Sequence, residues 1–302
     1  MTRDEWLETR RKGIGGSDAG AILGYNKWSS PVKVYMDKTG EAPPETEQSE
    51  AAYWGTVLEE VVAQEFSKRM GRDVRKVNYM LQNPEYPWML ANLDRMIVGT
   101  DEILECKTAD KWLASEWKDN EVPVSYLLQG QHYMAVTGCS AVWFAVLIGG
   151  NDFRCKRVER DEEIIQVLID RERDFWLEHV EKRIPPELDG SPATTDLLKR
   201  LFPTATGDEI ALPSEAEKLI LRRDELAEMI KPLEEEKDAC ENRLKGLVGE
   251  HRRGTVGSWI VDLPNFTRTS VDTKALKKDR PEIYEAYTRV TPYRKLSIKQ
   301  EA

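Results

Sequence analysis

The sequence predicts an α/β fold, one domain of roughly 190 residues, followed by an appendage of different composition. Segments of helical period alternate with segments of strand period: a helix, several strands, a helix, a strand pair and a helix. In "ILECKTAD", Glu105 and Lys107 alternate with Leu104 and Cys106. Successive strand side chains point to opposite faces, so the acid and the amine share one face and the apolar pair the other. Near Pro213 the chain turns charged and heptad-like, which marks the second part.

The elements follow in order. "RDEWLETRRKGIGGSDAGAILGYNKWSSPVKVYMDKTG" reads as a short helix, a glycine-rich loop, another short helix and a third helix ending at Gly40. "EAPPETEQSE" is a polar, Pro-rich loop. "YWGTVLEEVVAQEFSKRMG" is a helix stopped by Gly71, and the chain from Arg72 to Ala109 is a run of strands broken by Asn-Pro and Gly-Thr-Asp turns, the last two forming a hairpin. "VPVSYLLQGQHYMAVTG" is a helix closed by Gly138. Two strands follow in "CSAVWFAVLIGGNDFRCKRVER", then a long helix that two prolines stop. In the appendage Pro232 is expected to kink or split the charged helix. "GTVGSWIVDLP" is a strand or hairpin, and a tail containing Lys274, Lys277, Lys278, Arg280, Arg289, Arg294, Lys295 and Lys299 is basic.

Composition narrows the function classes. With 302 residues, 40% hydrophobic and 32% charged, the chain can bury a core and is richer in charge than usual. A net charge of −10 argues against a surface coated for nucleic acid, yet permits a basic channel or a carboxylate metal site within an acidic shell. Cys106, Cys139, Cys155 and Cys240 are widely spaced, as are His132, His179 and His251. This excludes zinc-finger spacing and a disulfide framework and suits a reducing cytoplasm. The longest apolar run, "AVWFAVLI", is too short to span a membrane, and the start lacks the apolar core of a signal peptide; a cytoplasmic protein is expected.

The sharpest chemical feature is Asp94 in one strand with Glu105 and Lys107 in the next. A hairpin turn at "GTDE" brings the two carboxylates together, where they repel unless a cation lies between them. Hard oxygen ligands suit Mg²⁺ or Mn²⁺. Lys107 would face the same place, able to bond an attacking water or offset charge on a phosphate. The plain alternative is a turn cap at Asp94 and a Glu105–Lys107 pair on a solvated strand. On its helix Glu59 shares a face with Val62, Ala63 and Phe66 and points inward, whereas Glu60 points outward. Gln129 and Gln131, two apart on a helix, point to nearly opposite sides, so one of them faces the hairpin; a buried Gln bonding backbone is the ordinary role. In "RRKGIGGSDAGAILG" a glycine loop delivers Ser17 or Asp18 to a helix start that favours an anion, with Arg10 or Arg11 able to reach back. No GK[ST] follows, and Asp18 replaces the last Gly of GxGxxG, so neither nucleotide-loop motif is present.

Taken together, "LETR", "RKGIGGSDA", "WGTVLEE", "LDRM", "LECK" and "YLLQGQHYMAVTG" occur in one order. Over about residues 5–190 the chain resembles the YqaJ-like viral recombinases, relatives of phage lambda exonuclease in the PD-(D/E)xK nuclease superfamily. The resemblance implies a restriction-endonuclease-like mixed central sheet flanked by helices. It implies Asp94, Glu105 and Lys107 as the metal-binding and catalytic set, Glu59 as the helical acid of a second metal position, and Gln129 as the first Gln of a QxQ. Arg10 and Ser17 resemble residues that hold a 5′-phosphate. The expected activity is an Mg²⁺-dependent 5′-to-3′ exonuclease on double-stranded DNA ends, with Mn²⁺ able to substitute, leaving 3′ single strands for phage-type recombination. The alternatives are a structure-specific endonuclease of the same superfamily, or a module that binds DNA or a partner, with catalysis secondary. A single-strand-annealing protein and a homotrimeric ring are the implied partners. Arg95, where the motif often has Gly, is expected to leave the ligands undisturbed. The nuclease domain is drawn at 1–207 and the helical and β appendage with its basic tail at 208–302.

Overall fold

A computed structural model describes residues 8–42, 49–118 and 121–300. Compact packing divides the chain into Met1–Phe202 and Pro203–Ala302. Most of the first expected helix and of the "EAPPETEQSE" loop lies outside the described residues.

The first unit is built on a five-stranded sheet in the order β2 (Val74–Lys76), β5 (Arg95–Ile97), β6 (Glu102–Ala109), β7 (Ala141–Ile148), β8 (Asp152–Glu159). Strands β6 and β7 are parallel and every other pair is antiparallel, so the sheet is mixed. A small second sheet joins β1 (Ile14–Gly15) in parallel to β4 (Met89–Ala91), which also pairs with β3 (Leu81–Gln82). The expected 95–109 hairpin forms, with Arg95 opposite Leu104 and Met96 opposite Ile103.

The helices are α1 (Gly16–Ile22), α2 (Pro31–Thr39), α3 (Glu50–Met70), α4 (Val124–Thr137), α5 (Glu162–Asp174) and α6 (Pro192–Leu201). Local chemistry sets their ends. Ser30 caps α2 by accepting from the Lys33 amide, and Ser49 caps α3 through the Ala52 amide. Helices α2, α3 and α4 stop at Gly40, Gly71 and Gly138, each in the left-handed conformation that ends a helix cheaply. Helix α5 continues as a wider π-helical turn, Phe175–Glu181, before the two prolines.

Alternation along β6 gives the sheet two buried faces. Leu104 packs with Ile97 and Ala145 against Val62, Ala63 and Phe66 of α3. Ile103, Val142, Phe144 and Val146 pack on the other face with Met134, Val136, Ile165 and Ile169 of α4 and α5. Fully buried side chains such as Phe66 and Leu104 contribute about 1.5–3 kcal/mol each. Helix α4 lies unusually close to the sheet, because a Cβ on Gly130 would stand 2.6 Å from Val142 Cγ1. That approach delivers the neighbouring Gln129 to the face carrying Glu105.

In the second unit α7 (Glu215–Val248) runs 34 residues through Pro232 as one helix, so the expected split does not occur. Leu219, Leu226, Leu233 and Leu247 stand exposed along it. Strands β9 (Arg253–Val256) and β10 (Trp259–Asp262) form the expected hairpin. Short helices α8 (Thr273–Asp279) and α9 (Pro281–Tyr287) lie within the basic tail.

Candidate active site

The Arg95–Leu104 register puts Asp94 beside Glu105 at the next step of the hairpin. Asp94 Oδ2 accepts the Cys106 amide at 2.8 Å, which pins the carboxylate across the strand pair. Lys107 Nζ donates to Glu105 Oε1 at 3.0 Å and to Gln129 Oε1 at 3.1 Å, while Gln129 Nε2 donates to Glu105 Oε1 at 2.9 Å. Carboxylate, ammonium and amide thus close a ring of hydrogen bonds. Gln129 spends its second amide hydrogen on Tyr133 Oη, also at 2.9 Å. Lys107 Nζ stands 4.8 Å from the centre of the Tyr126 ring, a cation–π contact.

The strand face is buried, not solvated. Glu105 is 3% exposed, and its Oε2 is buried without a hydrogen-bond partner. Burial, reinforced by the Asp94 charge, pushes the Glu105 carboxyl up to about 8 despite Lys107. Burial likewise raises Asp94, with Lys107 and the Cys106 amide opposing. For Lys107 burial works against the charged form, but Glu105 and Asp94 together outweigh it and keep the amine an ammonium.

Three cavities meet at this ring. One of about 260 Å³ is lined by Glu59, Asp94, Glu105 and Lys107. A second of about 210 Å³ is lined by Arg10, Ser17, Asp94, Glu105, Gln129 and Tyr133. The third, about 540 Å³, runs from Lys107 and Gln129 past Ser17 to Lys27 and Trp28. Each of the seven residues expected at the site lines at least one of these three cavities, and Asp94, Glu105, Lys107, Gln129 and Ser17 are each shared by two. Among the described residues no three His, Cys, Asp or Glu side chains form a ready metal cage.

Several sequence expectations change in detail. Arg95 does engage a candidate ligand: its Nη1 donates to Glu59 Oε1 at 2.6 Å and its Nη2 to Glu60 Oε2 at 2.8 Å. Residue 95 faces α3 because it alternates with Asp94, and an arginine there meets the helix's acids. Glu59 is the more enclosed acid, 25% against 62% side-chain exposure, yet both reach the guanidinium. Gln131 takes the ordinary role, donating to the Glu159 carbonyl and accepting from the Asp161 amide.

In the glycine loop Ser17 is exposed and Asp18 is buried. Asp18 takes Lys38 Nζ at 2.6 Å, Arg10 Nη2 at 3.2 Å and the Gly15 amide at 3.0 Å. Burial favours a protonated Asp18, but Lys38 and Arg10 prevail and hold it below the usual carboxylate range. Gly16 is required sterically, since a Cβ there would stand 2.5 Å from Tyr133 Cε1. Two members of the site, Tyr133 and Lys38, lie outside the sequence expectations. Tyr133 lies one helical turn beyond Gln129, a readable spacing; Lys38 carries no local signal.

A sequence model of the YqaJ-like viral recombinase domain matches residues 5–140. The uncharacterized protein YqaJ of Bacillus subtilis (strain 168) is 42% identical over 303 residues, covering 99% of this chain and 95% of that protein. A solved alkaline exonuclease from Laribacter hongkongensis is similar in fold, with a TM-score of 0.51 at 21% identity over 60% of this chain and 94% of its own. The same exonuclease in complex with dAMP also superposes at 0.51 and 21% identity, over 66% and 97%.

Proposed function

Because this chain belongs to the YqaJ-like viral recombinase family, we propose that it is a DNA nuclease of recombination that hydrolyses phosphodiester bonds at the Asp94–Glu105–Lys107–Gln129 site. The carrying observation is the buried, unpartnered Glu105 Oε2 beside a second raised carboxyl, Asp94. A buried acid pair that shares a single ammonium, Lys107, fits a divalent cation. Two carboxylates with water completing the shell suit Mg²⁺, with Mn²⁺ as substitute. Asp94 and Glu105 would hold the ion; when bound, it supplies Lewis-acid polarisation of a phosphate and acidifies water.

The chain's own groups do the rest. The Lys107 ammonium donates to the attacking water or to the phosphate as negative charge grows. The Gln129 carbonyl, fixed by Lys107, and its amide, fixed by Glu105 and Tyr133, hold that ammonium in one orientation. Arg10 and Ser17, across the cavity of about 210 Å³, suit a terminal 5′-phosphate, Arg10 by a charge-assisted bond that its anchorage to Asp18 pre-orients. This supports 5′-to-3′ digestion of double-stranded ends inside the cell, leaving 3′ single strands that a single-strand-annealing protein would take up. A homotrimeric ring belongs to the same proposal. Among the described residues no helix is long and apolar enough to cross a membrane.

The test is digestion of end-labelled linear duplex beside covalently closed circular duplex, with and without Mg²⁺. Loss of mononucleotides from the linear substrate alone, only with the ion, is expected. Cutting of the closed circle would favour the structure-specific endonuclease; no cutting of either would remove the nuclease reading.

A further inference from the structure

The second unit ends in a stretch whose charge opposes that of the whole chain. From Arg252 to Lys299 eleven Lys and Arg stand against five Asp and Glu, in a protein of net charge −10. Two of those acids are engaged locally: Asp262 pairs with Arg252 and Arg253, and Asp272 caps α8 by accepting the Ala275 amide at 2.9 Å. The basic side chains from Lys274 to Lys299 are exposed.

On α8, Lys274, Lys277 and Lys278 recur at the three- and four-residue spacing that puts side chains on one face. Half-buried Leu276 lies on the other side, and Asp279 falls off the lysine face. Among the described residues none of the three lysines is paired with an acid. Lys277 Nζ instead lies over the Tyr284 ring of α9, 5.5 Å from its centre, which joins the lysine face to the next helix. Three residues on, Tyr287 shares the Tyr284 side and is 87% exposed, while Glu282 and Glu285 fall on the other side of α9. Trp259, Phe266 and Tyr293 stand out of the same stretch, each 75–88% exposed.

Cations recruit a polyanion by releasing its counterions, whatever its sequence. Rings add to that only where the flat partner is unpaired, because bases within a duplex already stack on one another. An acidic polypeptide would satisfy the lysines and leave the rings in water. Cations and exposed rings interleaved are the chemistry that tracks a single strand.

We propose that α8, α9 and the aromatic residues around them form a platform for single-stranded DNA, with Lys274, Lys277 and Lys278 taking phosphates and Tyr287 stacking on a base. The inference rests on the nuclease reading for the source of the strand, the one that digestion would leave unpaired, but capture requires no cleavage.

The test is fluorescence anisotropy on the full chain in chelator, with a 5′-hydroxyl thymidine strand of about 16 nucleotides and a strand of equal length whose backbone carries no bases. Wild type should prefer the strand with bases by about fivefold or more. Replacing the three lysines together, Lys274→Ala, Lys277→Ala and Lys278→Ala, should weaken both strands and reduce the slope of log affinity on log salt by about 2. Tyr287→Leu should weaken the thymidine strand alone, by about fivefold or more, with the salt slope unchanged. All four side chains are exposed, so neither variant removes a core contact. Equal wild-type affinity for the two strands, or either variant matching wild type, would overturn the proposal. So would polyglutamate that displaces the thymidine strand as well as the unlabelled strand does, which would assign the surface to an acidic polypeptide. Failed digestion with this binding intact would remove the nuclease reading alone, and intact digestion without single-strand binding would remove this inference alone.

Discussion

Replacing Glu105 with Gln should make the metal-free protein more stable at pH 8, a result opposite to the usual effect of altering a buried polar residue. Native Glu105 keeps its proton up to about 8, whereas the unfolded chain releases it near the ordinary 4.5. Stability from this group is fully present below 4.5 and is lost as pH rises through about 8. At roughly 1.4 kcal/mol per tenfold change in proton affinity, the loss reaches about 4 kcal/mol at pH 8. The introduced amide would keep the carbonyl that takes Lys107 and Gln129, and its NH₂ would stand where the unpartnered oxygen is, without a charge. Urea unfolding in chelator at pH 5 and pH 8 measures the effect: a steep decline for wild type, a flatter one for Glu105→Gln, and a reversal of their order by pH 8. Added Mg²⁺ should restore wild type and leave the variant unmoved. Parallel pH profiles, or a variant less stable at pH 8, would refute the claim that ionised Glu105 strains the metal-free site despite Lys107.

Lys107→Ala should slow hydrolysis by about 10²–10³ and lower the urea midpoint, because Glu105 and the Gln129 carbonyl lose their shared donor; wild-type turnover would remove Lys107 from the site. Arg10→Ala should cut a preference for 5′-phosphorylated over 5′-hydroxyl ends by roughly tenfold to a hundredfold, measured as the ratio of initial rates on duplexes differing only in that phosphate. Gly16→Ala must displace the Tyr133 ring. It should destabilise the fold by about 1–3 kcal/mol and reduce turnover by freeing one side of Gln129, which paired thermal melts and digestion rates would detect.

Much of this site is legible because it obeys two short periods. Two-residue alternation places Glu105 and Lys107 together, and the Gly-Thr-Asp turn returns the chain so that Asp94 lies beside them. Helical phase separates Gln129 from Gln131 and ranks Glu59 inside Glu60. The same alternation, carried one residue past Asp94, points Arg95 at the acids of α3, so the sequence holds that pairing too, against the expectation that Arg95 leaves the ligands alone. What escapes has no local period. Lys38 reaches Asp18 from another helix, and the two-residue strand β1 exists through its tertiary partner β4. Helix α6 follows a Pro-rich approach that signals a break. Pro232 does not split its helix, because the one backbone bond it removes leaves the hydrogen bonds of the turns on either side in place.

The burial of Lys38 turns the glycine loop into something that can be timed. Its amine is fully enclosed, bonded to Asp18 and to the Arg10 carbonyl at 3.1 Å. An acylating reagent can reach it only when the loop lifts away, whereas Lys27 on the same side stands in water. Acylation of Lys38 relative to Lys27, followed by mass spectrometry, is therefore a clock for loop opening. Oligonucleotides with a terminal phosphate should slow that clock by holding Arg10 down, giving a readout of end capture that needs no bond to be broken.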